Sequence, residues 1–169
     1  PEPGLDKWIK TIQKAQEAGI FVIDVGGDKI DINFTGGGSP ENKDDFESYR
    51  PWLHHNDDEE ELDKLITEDN IDEILKSIKE TKIIVPSDYR TMASSWSKKG
   101  QYMYNGKGGM SWSVPYLAGL FALALQINPN LQKEEIAEII KKSAVVNNKG
   151  LKIVNPEGII ELVKEKTKN

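Results

Sequence analysis

No cysteine occurs among the 169 residues. That excludes disulfides, thiolate-held zinc and thiol nucleophiles, and it leaves the compartment open. Histidine is nearly as scarce, being confined to the adjacent His54 and His55. In the context Trp52-Leu53-His54-His55-Asn56-Asp57 they read as exposed loop residues rather than metal ligands or catalytic groups. Positive charge is outweighed, with 22 Lys and Arg against 28 Asp and Glu and a net charge of −6. With no basic stripe above the scatter of lysines, this argues against a nucleic-acid partner. Long hydrophobic runs are lacking too. The longest, Val114 to Ile127, contains Gln126 and falls short of the ~20 residues that a membrane span needs, so it reads as a buried core helix.

What remains is ordinary for a soluble globular chain: 37% apolar and 30% charged residues, with a length that suits one domain. Leu5, Trp8, Ile9, Ile12 and Ala15 recur at helical spacing, and Gly19 follows where a helix stop belongs. Ile20 to Val25 is a short apolar run rich in β-branched residues and reads as a buried parallel strand. Residues 26–60 show little periodicity and read as a long surface excursion, with Gly36-Gly37-Gly38 as a flexible loop. Leu62, Leu65 and Ile66, then Ile71, Ile74, Leu75 and Ile78, give amphipathic helical turns. Lys82 to Pro86 is a second short strand, and a helix pair follows at about 111–127 and 132–143. Asn155-Pro156 supplies an N-cap and a proline at the first helical position for a last helix through Val163. The alternation predicts an α/β fold containing part of a doubly wound parallel sheet, with helices on both faces.

Two polar clusters invite a ligand and are weak. Asp57-Asp58-Glu59-Glu60-Glu61 offers carboxylates to a hard cation but lacks the alternating ligands of a calcium loop, and the positive start of a helix explains it more simply. Gly106-Lys107-Gly108-Gly109-Met110-Ser111 precedes a helix, yet its lysine lies among the glycines, where a phosphate loop would place it directly before the hydroxyl residue. Neither predicts a cofactor or a metal.

The informative stretch is Gly109-Met110-Ser111-Trp112-Ser113-Val114-Pro115-Tyr116-Leu117-Ala118-Gly119. Its glycine-flanked serine stands where a loop meets the long apolar helix. A nucleophile placed there has its own backbone N–H among the unpaired donors of the first turn, at the positive end of the helix dipole. A carbonyl attacked by that serine would set its developing oxyanion against those donors. The competing reading of Ser111 is a plain helix cap.

Gly109, Ser111, Pro115 and Gly119 fill Gly-x-Ser-x-x-x-Pro-x-x-x-Gly, and the segment resembles the serine signature of the subtilisin-like serine proteases. Ala18 to Ile23 with Gly27-Asp28 is similar to the helix end, strand and glycine turn that carry the oxyanion residue in that family. Val85-Pro86-Ser87 with Thr91-Met92-Ala93-Ser94 resembles the run leading to the serine loop. Tyr104-Asn105-Gly106 resembles the approach to the serine, with Lys107-Gly108 as an insertion. Pro129-Asn130-Leu131, the helix ending at Ala144 and Gly150-Leu151 to Asn155 resemble the elements after the serine helix. The likeness covers roughly residues 5–28 and 83–165, with 29–82 as an insertion that has no counterpart.

The resemblance implies a subtilisin-like partial sheet and serine endopeptidase chemistry with Ser111 as nucleophile. It puts Asp28 at the oxyanion-hole position, where the family has asparagine. An ionised carboxylate there would repel an oxyanion, whereas a protonated one can donate, which requires burial to raise its pKa. One branch of the proprotein convertases also carries aspartate at this position. Tyr116, where the family has histidine, and Trp112 mark a divergent branch. The family's Asp-Ser/Thr-Gly and His-Gly-Thr-His motifs are absent, and His54 and His55 lie between Asp28 and Ser111, the wrong order for the triad. The chain therefore reads as the C-terminal portion of a subtilase-like domain, partnered by the missing N-terminal half and by a peptide or protein substrate, and inactive alone. The uncovered sheet and helix surface predicts self-association. The resemblance also favours a secreted or cell-associated setting and allows a structural calcium that no motif supports. The alternatives are a pseudoprotease or a protein-interaction domain retaining the fold.

Overall fold

The computed structural model describes residues 4–25, 30–39, 42, 44–51, 70–94, 99–106 and 108–168. Asp28, His54, His55, Leu62, Leu65, Ile66 and the acidic run 57–61 lie outside them, and with them the expectations attached to those residues.

The architecture is mixed α/β. The described elements include five α-helices: α1 Leu5–Glu17, α2 Ile71–Thr81, α3 Met110–Ile127, α4 Lys133–Ser143 and α5 Pro156–Thr167. The strands are β1 Phe34–Gly38, β2 Arg50–Pro51, β3 Ile83–Pro86, β4 Arg90–Ala93, β5 Tyr102–Asn105, β6 Val145–Val146 and β7 Lys152–Ile153. Five strands form a sheet in the order β2-β1-β3-β7-β6, and β4 and β5 form a separate antiparallel pair. The three central strands are parallel, with Phe34 opposite Ile83 and Ile84 opposite Ile153. The flanking β2 and β6 are antiparallel, so the sheet is mixed where the alternation of elements predicts a parallel one.

Side-chain alternation along β3 divides the core. Ile83 and Val85 enter a cluster with Phe34, Leu117, Leu120, Phe121, Ile136, Ile140 and Val163, which α3, α4 and α5 supply. Ile84 points the other way, into a smaller cluster with Tyr49, Ile78, Leu151 and Ile153, where α2 packs. Helices thus cover both faces, as a buried parallel core requires.

Local signals explain the ends of the helices. Asn155 accepts a hydrogen bond from the Gly158 N–H at 3.2 Å, with Pro156 opening α5. Gln132 and Glu135 form a reciprocal capping box at α4. That bond and a contact from Lys166 hold the Glu135 carboxyl below its ordinary range. Gly19 takes φ +77 just beyond α1, a conformation that favours glycine.

Two expectations are corrected here. Ile20 to Val25 is not a strand: Ile20 is 58% and Val25 48% exposed, and Phe21 instead stacks edge-on to Phe121 of α3, 5.9 Å between ring centres. Conversely, Gly36-Gly37-Gly38 is not a loop but three of the five residues of β1, buried along its whole length. Its backbone lies so close to its neighbours that a methyl group on Gly37 would reach 2.7 Å from Ile84 Cγ2. Glycine is required here by close approach, and its missing side chain is what hides the strand from a hydrophobic pattern.

Candidate active site

The parallel strands β1 and β3 end side by side, and α3 starts beside those ends. In open α/β sheets the crevice at the carboxyl ends of the strands is the usual ligand site. Four contacts fix the start of the helix there. The Gly36 N–H donates to Met110 Sδ at 3.0 Å, and the Thr35 hydroxyl reaches the same sulfur at 3.7 Å. Ser113, fully buried, donates to the Val85 carbonyl at 3.2 Å. Ahead of the helix, the Gly108 N–H donates to Asp88 Oδ1 at 3.0 Å. Asp88 is 6% exposed and also accepts from Ser87 Oγ at 2.9 Å.

Ser111 stands between these anchors, exposed on the first turn of α3. The cap position belongs to Gly109, which has no side chain to give, and Ser111 lies two residues inside it. Helix capping therefore does not account for this serine. Its neighbours are tied to the sheet on both sides, and Ser111 itself lines a cavity of about 610 Å³. Arg90, Met92, Trp112, Pro115, Tyr116 and Leu123 are prominent in the cavity wall. An exposed hydroxyl on a rigidly anchored helix start is the geometry a nucleophile needs.

The same arrangement shows what the sequence left unmarked. Asp88 and Gly108 organise the approach to Ser111, although they lie 20 positions apart and no local pattern marks the pair. Arg90 places its guanidinium 4.6 Å from the centre of the Tyr116 ring. Behind them the Tyr49 hydroxyl is pushed up to about 12, by burial first and by Tyr116 next, against the pull of the Arg90 charge.

The helix carrying Ser111 buries one side only. Ser113, Leu117, Leu120, Phe121 and Ala124 are covered, whereas Ala118, Gly119, Ala122 and Leu123 are exposed. The expectation of a helix buried all round is thus met on one face. By length and composition this helix is apolar enough to cross a membrane. Among the described residues no group of histidines or carboxylates is arranged to hold a metal ion. Scanning family models gives no match to the chain, and searches of curated proteins and of solved structures give none either.

Proposed function

We propose that this chain is the C-terminal portion of a divergent subtilisin-like serine peptidase domain, with Ser111 as the nucleophile. The observation that carries this reading is the placement of Ser111: off the cap, exposed, and held between Met110 and Ser113, which are tied to β1 and β3. Ser111 Oγ bonds to the carbonyl carbon of a peptide as its proton passes to a histidine. The Ser111 N–H donates to the oxyanion. When the tetrahedral intermediate collapses, the C–N bond breaks and the histidine returns the proton to the leaving amine. Water then hydrolyses the acyl-enzyme by the same route in reverse.

The histidine and the aspartate that orients it come from a polypeptide segment outside this sequence. Support for such a segment lies on α3, where Pro115, Ala118 and Ala122 leave an exposed stripe running down from Ser111. Side chains this small allow a second backbone to approach closely. Among the described residues the Ser111 N–H is available at a helix start, and there is no histidine to take the proton. Loss of even one oxyanion donor costs about 3–4 kcal/mol in related chemistry, and loss of the base costs more.

The test is hydrolysis of a denatured protein substrate by the polypeptide as its gene encodes it. Activity should depend on Ser111, with a pH profile rising through the titration of a histidine near neutrality. Hydrolysis unchanged by Ser111→Ala would remove the proposal.

A further inference from the structure

The cavity beside Ser111 has a composition that a nucleophile alone does not require. Its wall is mainly apolar, with Met92, Trp112, Leu120 and Leu123, and carries one cation, Arg90. Arg90 is half-buried, is held over the Tyr116 ring at 4.6 Å, and takes part in none of the ion pairs among the described residues. A half-buried guanidinium that pairs with no carboxylate among the described residues has given up part of its hydration with the Tyr116 ring as its contact. Over the tyrosine ring it presents an N–H fork that suits a planar, bidentate anion.

A second feature points to the shape of what binds. β4 contributes Arg90, Thr91 and Met92 to the same wall. It pairs with β5 on one side, and among the described residues no strand lies on its other side. An open strand edge beside a pocket is how an extended peptide is held, with backbone bonds giving affinity and alternate side chains entering pockets.

We infer that this groove is a substrate subsite for an extended peptide with an acidic side chain next to a bulky apolar one. The carboxylate pairs with Arg90, and the apolar side chain lies against Trp112, Met92 and Leu123. The inference rests on the peptidase reading for the identity of the ligand as substrate, but it concerns binding and needs no turnover.

Binding is measured by fluorescence anisotropy on the full 169-residue chain. The probes are dye-labelled, C-terminally amidated octapeptides carrying Phe-Glu or Phe-Gln at their centre, so the side chain is their only difference in carboxylate. The Glu peptide should bind at least about tenfold more tightly than the Gln peptide, and 0.5 M salt should erode that advantage. Arg90→Gln should abolish the preference and Arg90→Lys should keep part of it, since ammonium retains the charge without the fork. Leu123→Ser should weaken both peptides alike, and thermal melts of the variants report whether each has folded. Equal binding of the two peptides, a preference that survives Arg90→Gln, or no binding at millimolar chain would overturn the subsite. The expected preference in the 169-residue chain, together with a gene-encoded polypeptide in which Ser111 never reacts, would instead sink the peptidase reading and leave the subsite standing.

Discussion

The backbone N–H of Gly108 donates to the buried carboxylate of Asp88 at 3.0 Å, so the loop that delivers Ser111 hangs from the end of β3. Asp88→Ala leaves that N–H and the Ser87 hydroxyl without this acceptor, and an unsatisfied buried donor costs about 1–3 kcal/mol. Asp88→Asn keeps an oxygen at the same place and should cost distinctly less. Urea unfolding of the two variants checks the order; equal losses would show that charge rather than hydrogen bonding holds the loop.

Two glycines flanking Ser111 should respond in opposite directions. A methyl group on Gly108 would fall well inside contact distance of the Ser87 carbonyl oxygen, which is backbone and cannot step aside. Gly108→Ala should therefore destabilise by about 1–3 kcal/mol. At Gly119 nothing lies within 4 Å of the position a methyl group would take, and the site is inside a helix. Gly119→Ala should stabilise this chain by about 0.5–1 kcal/mol. A Gly119→Ala chain melting below the wild type would mean that something already covers that face.

Tyr49 links stability to alkaline pH. Its folded-state pKa of about 12 exceeds the ordinary 10, so between those values the unfolded chain loses a proton that the folded chain keeps. Stability present below pH 10 is then lost as pH rises, with a slope approaching 1.4 kcal/mol per pH unit, a rough ceiling for one group. Tyr49→Phe should flatten the decline between pH 10 and 12. An unchanged slope would assign the alkaline loss to other groups.

The apolar side of α1 is open, with Leu5, Trp8 and Ile9 at 44%, 56% and 42% exposure, and the helix has no buried residue. Light scattering should show the chain's mass rising with concentration, and Trp8→Glu should lower it. A constant monomer mass up to millimolar concentration would contradict this.

What could be read in advance followed side-chain periodicity and chemically marked ends. Gly19, Asn155 and Pro156 each carry a local physical reason to stop or start a helix, and those helix ends stand where that reason puts them. Ile83 to Val85 was legible as a strand because both its faces are buried. β1 was not, because three of its five residues are glycine and bring only backbone. Ile20 to Val25 has the composition of a strand, but among the described residues it finds no strand to pair with and turns Phe21 towards α3. Ser111 stood out through its spacing to Gly109, Pro115 and Gly119, and the structure has it exposed on the first turn of α3. The Gly108–Asp88 tie and the Arg90–Tyr116 stack join residues 20 and 26 positions apart, and no local pattern announces them.

The central claim is that Ser111 is a nucleophile waiting for a base, and fluorophosphonate labelling followed by peptide mapping tests it most directly. In the polypeptide as its gene encodes it, one adduct should form rapidly on Ser111 and disappear with Ser111→Ala, while the 169-residue chain alone should label slowly or not at all. An absence of adduct on Ser111 in the gene-encoded polypeptide would contradict the account. So would rapid stoichiometric labelling of the isolated chain, which would place the base within these residues.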